Sequence, residues 1–215
     1  MKIPIDVIFF DVDGTLVDAR KDIVNAVNFA LKGLKLKPKP FSEIVSYIGT
    51  GVKDLIRQSL GEEYEPLMDR AVKLFAQRYE AHPIDEAKVY PYVVSTLDHF
   101  KNKRKFIVTN RYARFADVAL KGLGLRGYFE SIIGGDDEGC LKPSACVITK
   151  VISRLNVPKT KIMIVGDMAI DVRTGKNAGI KTCFVTYGLG AIRDLGRLKP
   201  DYIIDGIADL KNKIE

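Results

Sequence analysis

The stretch VIFFDVDGTL, residues 7–16, decides the fold class. Its four apolar residues run without alternation, as in a strand buried on both faces. The run stops at two carboxylates one residue apart, followed by a glycine. Apolar runs of strand length recur at residues 106–108, 132–133, 162–165, 182–185 and 202–204. From residue 106 onward, amphipathic segments of helix length, such as 113–123 and 144–155, lie between them. Unalternating strands separated by helices predict an α/β chain, a doubly wound, Rossmann-like parallel sheet with helices on both faces.

The exception lies between the first two strands. Residues 18–88 show no strand pattern. Ile23, Val27, Ala30 and Leu34 fall on one helical face, as do Ala71, Phe75 and Tyr79, and residues 41–48 and 55–60 suit two shorter helices. The expectation is a helical insertion over residues 18–88, a lobe of its own, set into a core of residues 1–17 and 89–215.

The chain has 215 residues, 47% hydrophobic and 28% charged, which suits one main globular domain with an added lobe. No apolar run approaches the length of a membrane span, and the first residues lack the apolar stretch of a signal peptide, so a cytoplasmic protein is expected. The net charge of +7 gathers at residues 32–39 and 101–105, behind helix-like stretches where cations suit the helix C-terminus and a solvated face. No nucleic-acid motif accompanies these runs, so the expected partner is a small anionic molecule, with neither nucleic acid nor membrane. A monomer or a homodimer is expected. Three cysteines, Cys140, Cys146 and Cys183, form no C-x-x-C pair and no even set. Cys146 and Cys183 lie in apolar stretches and are expected in the core, and the set favours a reducing compartment.

Ligands of open parallel sheets bind beyond the carboxyl ends of the strands. In this chain those positions hold Asp11 and Asp13, then Thr109, Asn110 and Arg111, then Gly134 to Asp137 with Lys142 soon after, then Asp167 and Asp171. Carboxylates gathered on one edge repel one another unless a hard cation lies between them, and Mg2+ takes oxygen ligands while leaving places for water and phosphate. A hydroxyl, amides and a lysine beside them can hold a phosphoryl group. The chain has no Walker loop, and neither His82 nor His99 stands at a strand end. An EF-hand reading of D-V-D-G-T fails because Leu16 stands where such a loop needs glycine.

Taken together, D-V-D-G-T, V-T-N, L-K-P and G-D-M-A-I-D resemble the four motifs of the haloacid dehalogenase superfamily, in the right order along the whole chain. With Y-P-Y, V-T-N-R, G-G-D-D and V-T-Y-G, the chain looks most like the phosphoglycolate phosphatase subgroup with an α-helical cap. The resemblance implies a Mg2+-dependent phosphatase. Asp11 would be the nucleophile that forms an aspartyl-phosphate, and Asp13 the general acid and base. Asp11, the Asp13 carbonyl, Asp167 and Asp171 would serve the metal, and Thr109, Asn110 and Lys142 the phosphoryl group. The cap is expected to set substrate choice through the loop from Gly49 to Lys53, with Lys53 pairing with a substrate carboxylate and Gly51, Asn110 and Arg111 also binding the substrate. Arg111 stands where the subgroup usually has lysine, Met168 where serine is common, and Tyr92 where glycine is expected. A β-phosphoglucomutase-like mutase and a nucleotide or sugar-phosphate phosphatase are the alternatives. A receiver-like signalling module is a third reading, opposed by the early Asp11 and the cap.

Overall fold

The computed structural model describes residues 2–215. In chain order it comprises β1 (Val7–Phe10), β2 (Val17–Asp18), α1 (Arg20–Gly33), α2 (Phe41–Val45), α3 (Val52–Leu60), α4 (Met68–Ala81), β3 (Lys88–Val89), α5 (Val93–His99), β4 (Arg104–Val108), α6 (Ala113–Gly122), β5 (Ser131–Ile133), α7 (Cys146–Ile152), β6 (Ile162–Gly166), α8 (Ala169–Ala178), β7 (Lys181–Val185) and β8 (Tyr202–Ile204).

Six strands form one sheet in the order β5-β4-β1-β6-β7-β8, and every pairing is parallel. The lack of alternation along β1 now has its cause. Ile8 and Phe10 pack with Val93 and Leu97 of α5 and Phe115 and Leu120 of α6 in one buried cluster. Val7 and Phe9 pack on the other face with Val147 and Ile148 of α7. Successive strand residues point to opposite faces, and both faces are covered. β1 lies between β4 and β6, so the loops that follow these three strands open side by side.

Between β1 and α5 the chain leaves the sheet. β2 and β3 form a two-stranded antiparallel ribbon, with Val17 opposite Val89 and Asp18 opposite Lys88. Helices α1 to α4 rise from it. Their buried faces, including Ile23, Val27 and Ala30 of α1 and Ala71, Phe75 and Tyr79 of α4, join the same apolar cluster as the α5 side of the sheet. No helix among the described residues is long and apolar enough to cross a membrane.

Two expectations are corrected. Cys140 and Cys146 form a disulfide, and only Cys183 is a free, buried thiol. The chain turns back after β5 and brings the two Cα atoms to 5.7 Å, within disulfide range. Pro143 and Ser144 suit such a turn, but a spacing of five residues between the cysteines is no sign of a disulfide, and with the bridge present the cysteines no longer favour a reducing compartment. Nor is the basic run 101–105 wholly solvated. Lys105 lies inside β4, buried, and its ammonium donates to the carbonyls of Phe100 at 2.6 Å and Lys103 at 2.9 Å. Burial lowers its pKa.

Candidate active site

Asp11 follows β1 directly, and its backbone N–H donates to the Val165 carbonyl of β6 at 3.0 Å. Asp167 follows β6, and Asp171 lies in the first turn of α8. Each of the three buried carboxylates offers an oxygen within 4.8 Å of the other two. Gly14, at φ +86°, turns the chain so closely past Asp167 that a side chain there would collide with its carboxylate. The Thr15 hydroxyl donates to Asp167 at 2.7 Å, and the Leu189 N–H donates to its other oxygen at 2.7 Å. Asp171 accepts from the Met168 N–H at 3.0 Å, so it caps α8 while facing the cluster.

Lys142 reaches this cluster from the loop after β5. Its ammonium lies 2.8 Å from Asp11 and 2.7 Å from Asp171, and its side chain is 2% exposed. Asn110 fixes that loop from both sides of the peptide, accepting from the Lys142 N–H at 2.8 Å and donating to the Lys142 carbonyl at 3.1 Å. The same side-chain amide donates to the Gly49 carbonyl of the cap at 3.0 Å. Asn110 therefore ties the cap loop to the lysine loop through its side chain. The Thr109 hydroxyl accepts from the Arg111 N–H at 3.2 Å, which leaves its own proton for a ligand.

The carboxylates are strained electrostatically. Burial raises Asp167 well above the ordinary carboxylate range, and the charges of Asp11 and Asp171 add to it. Burial also raises Asp171, with Lys142 opposing and Asp11 adding. Burial alone would lower Lys142, but the Asp11 and Asp171 charges outweigh it and hold the ammonium charged. Three carboxylates against one ammonium leave the cluster short of positive charge, and every donor is a carboxylate oxygen. A hard divalent cation fits this set.

Asp13 does not join the cluster. Its carboxylate turns toward the cap, where the Arg111 guanidinium donates to it. Burial raises its pKa, with Arg111 opposing and Asp11 adding. A cavity of about 40 Å³ separates core and cap, with Asp11, Asp13, Thr109, Arg111 and Lys142 on the core side and Gly49 and Gly51 on the cap side. Gly49, at φ +117°, lies so near Met168 that a side chain would strike the thioether. Lys53 is turned away from the cavity. Its ammonium pairs with Glu138 at the outer surface, because the first turn of α3 points it past the loop after β5 rather than under the cap. Lys53, expected beside the substrate, is thus not among the residues that line this cavity.

Three contributors to the site carry weaker sequence signals. Thr15 lies within D-V-D-G-T but had no assigned purpose. Leu189 acts through its backbone, so its side chain could not reveal it. Tyr79 has a spacing that marks the buried face of a helix, and its hydroxyl accepts from Arg111.

The model of the haloacid dehalogenase-like hydrolases matches residues 8–185. A phosphoglycolate phosphatase of Aquifex aeolicus is 34% identical over 95% of this chain and 94% of its own length. One from Chromobacterium violaceum is 33% identical over 96% and 95%. Among solved structures, a protein from Haemophilus somnus described as a predicted phosphoglycolate phosphatase superposes with a TM-score of 0.90 at 25% identity, covering 97% of each chain. A family match over most of the chain, relatives aligned nearly end to end, and motif residues gathered on one sheet edge lead to one conclusion: the chain belongs to the haloacid dehalogenase-like hydrolases.

Proposed function

We propose that this protein is a Mg2+-dependent phosphatase of small phosphomonoesters, with phosphoglycolate as the leading substrate. The observation that carries this reading is the meeting of Asp11, Asp167, Asp171 and Lys142 at the carboxyl ends of β1 and β6, beneath a cap. The phosphoglycolate phosphatases named above, similar over nearly the whole chain, support the substrate.

Asp11 attacks phosphorus. A bond forms from its carboxylate oxygen to phosphorus as the ester oxygen departs, and Asp13 gives that oxygen a proton. Asp13 then takes a proton from the water that attacks the aspartyl-phosphate, which restores Asp11 and releases phosphate. The Thr109 hydroxyl and the Lys142 ammonium donate to the phosphoryl oxygens, and Lys142 holds the Asp11 carboxylate in place. Asp11 and Asp167, with Asp171 behind them, would hold Mg2+, which when bound supplies positive charge to the phosphoryl group. The cap excludes water other than the attacking one.

The Asp13→Asn variant tests the assignment. An activated aryl phosphate needs no acid to leave, so phosphorylation of Asp11 stays comparatively fast. Dephosphorylation slows by about 10²–10⁴-fold because the base is gone. Stopped-flow should show a burst of leaving group, and acid quench should trap phosphate on Asp11. Uniform slowing without a burst or labelled protein removes Asp13 from proton transfer.

A further inference from the structure

The cavity under the cap is walled by apolar side chains, among them Ile48, Val52, Leu55, Phe75 and Phe115. On its lining, the cation turned toward the cap is Arg111, while Lys142 is held down between Asp11 and Asp171. The Arg111 side chain is 6% exposed. Its guanidinium lies 4.9 Å from the centre of the Tyr79 ring, and it donates to the Tyr79 hydroxyl through one terminal nitrogen and to Asp13 through the other. Tyr79 is held in turn by stacking on Phe75 and by Phe115, with ring centres 5.7 Å and 5.3 Å away. Arg111 comes from the core and Tyr79 from the cap, so this pair exists only while the cap is down.

A buried guanidinium needs an anion, and its planar fork suits a carboxylate. Here the carboxylate is that of Asp13, the residue assigned above to proton transfer. Two bonds occupy only part of the five N–H groups of an arginine. The carboxylate that holds the guanidinium is thus the one that proton transfer to an ester oxygen would require.

We propose that Arg111 and Tyr79 form the receptor for a carboxylate carried by the substrate, and that Asp13 occupies this receptor when no such substrate is present. The inference rests on the phosphatase reading above. A substrate carboxylate that takes the guanidinium displaces Asp13 and frees it to face the ester oxygen. The carboxylate thereby selects the substrate and also readies the site. A phosphate ester without it binds but leaves Asp13 on Arg111. Specificity would then appear in kcat as well as in KM, which a passive docking contact does not produce.

The test compares phosphoglycolate with ethyl phosphate, which has the same length but ends in a methyl group. Each is assayed on the wild-type protein, Arg111→Met and Tyr79→Phe, with circular dichroism and thermal unfolding to verify folding. Wild type should favour phosphoglycolate in both kcat and KM. Arg111→Met should reduce that preference in kcat/KM by about 10²-fold, the scale of two charge-assisted hydrogen bonds. Tyr79→Phe, which keeps the ring, should reduce it several-fold, and this variant decides the matter should Arg111→Met fail to fold. Acetate added with ethyl phosphate should raise kcat in wild type by filling the receptor, and should not do so in Arg111→Met. Equal kcat for the two esters in wild type, no acetate activation, or parallel losses for both esters in either variant would overturn the receptor while leaving the phosphatase intact. No turnover of either ester, or of an aryl phosphate, by wild type would overturn the phosphatase reading itself.

Discussion

The ammonium of Lys142 lies 2.8 Å from the carboxylate of Asp11, joining a loop after β5 to the end of β1 in a site that excludes bulk water. Its second contact, to Asp171 at 2.7 Å, makes it the cation that offsets the acid cluster. Lys142→Met should therefore destabilise the metal-free fold by about 3–5 kcal/mol, the usual effect of breaking a buried ion pair. Urea unfolding in chelator measures this. Mg2+ should return part of the lost stability, because it supplies the missing positive charge, and should not return turnover. A variant as stable as wild type in chelator would contradict the pairing.

The raised carboxylates give a second expectation. In unfolded chain Asp167 and Asp171 titrate near 4, whereas burial and their neighbours hold them higher in the fold. Between those values the folded state binds more protons, so metal-free stability falls as pH rises from about 4 through the folded values. Asp201 acts in the opposite sense, because bonds from Lys176, Thr182 and Lys181 outweigh its burial and lower its pKa, and its contribution is lost only as pH falls below about 4. Asp167→Asn should flatten the decline and raise the melting temperature in chelator at pH 8. If the cluster binds Mg2+ as proposed, the ion at a hundred times its Kd should stabilise wild type by about 2.7 kcal/mol. That corresponds to about 5–10 °C for a chain of this size. Asp167→Asn should lose most of that shift. An unchanged Mg2+ shift in the variant would move the metal elsewhere.

The disulfide between Cys140 and Cys146 encloses Leu141, Lys142 and Pro143, so it braces the loop that carries the ammonium. Peptide mapping without reductant should recover the two cysteines linked. Dithiothreitol, which becomes a cyclic disulfide as it delivers two electrons and two protons, should lower stability by about 2 kcal/mol, the loop-closure value for so short a ring. Proteolysis should then reach the segment between Gly139 and Ser144 more readily. Cys140→Ser should behave as the reduced protein and ignore dithiothreitol. Identical stability and proteolysis in both redox states would show that the brace contributes nothing.

Tyr92 stands where glycine was expected, and its backbone is left-handed at φ +64° with the side chain 69% exposed. That conformation costs a side-chain-bearing residue about 1–2 kcal/mol. Glycine removes this penalty but loses about 0.4–1 kcal/mol through the freedom of the unfolded chain. Tyr92→Gly should therefore raise the melting temperature by a few degrees at most, and Tyr92→Ala should not raise it. A higher melting temperature for the alanine variant than for the glycine variant would refute the backbone explanation.

Much of this architecture is legible in the sequence because parallel strands buried on both faces leave no room for polar alternation. β1 and β8 fall at the predicted residues. Helix ends are less legible. α7 is confined to Cys146–Ile152 although its apolar pattern extends further. The site is legible where one residue has one chemistry, as with Asp11, Asp167 and Lys142, which meet in space. It is illegible where the direction of a side chain decides. Asp13 and Asp11 are one residue apart, yet one carboxylate turns to the acid cluster and the other to Arg111. Lys53 is on the expected loop with its ammonium on the far side. Tyr79 has the spacing of a core residue and is one, but no spacing reveals what its hydroxyl touches.

The ribbon of β2 and β3 gives the cap its mechanics. Entry and exit strands are hydrogen-bonded side by side, and just beyond them Asp22 of α1 accepts from the backbone N–H groups of Glu86 at 3.0 Å and Ala87 at 2.8 Å. Two rails joined along their length resist twisting and sideways sliding far better than a single flexible tether. If the lobe they carry lifts from the core, rocking about the ribbon, like a flap on a strip hinge, is the movement these pairings oppose least. Such a return would follow one arc and bring Tyr79 and Gly49 back onto Arg111 and Asn110 in the register seen here.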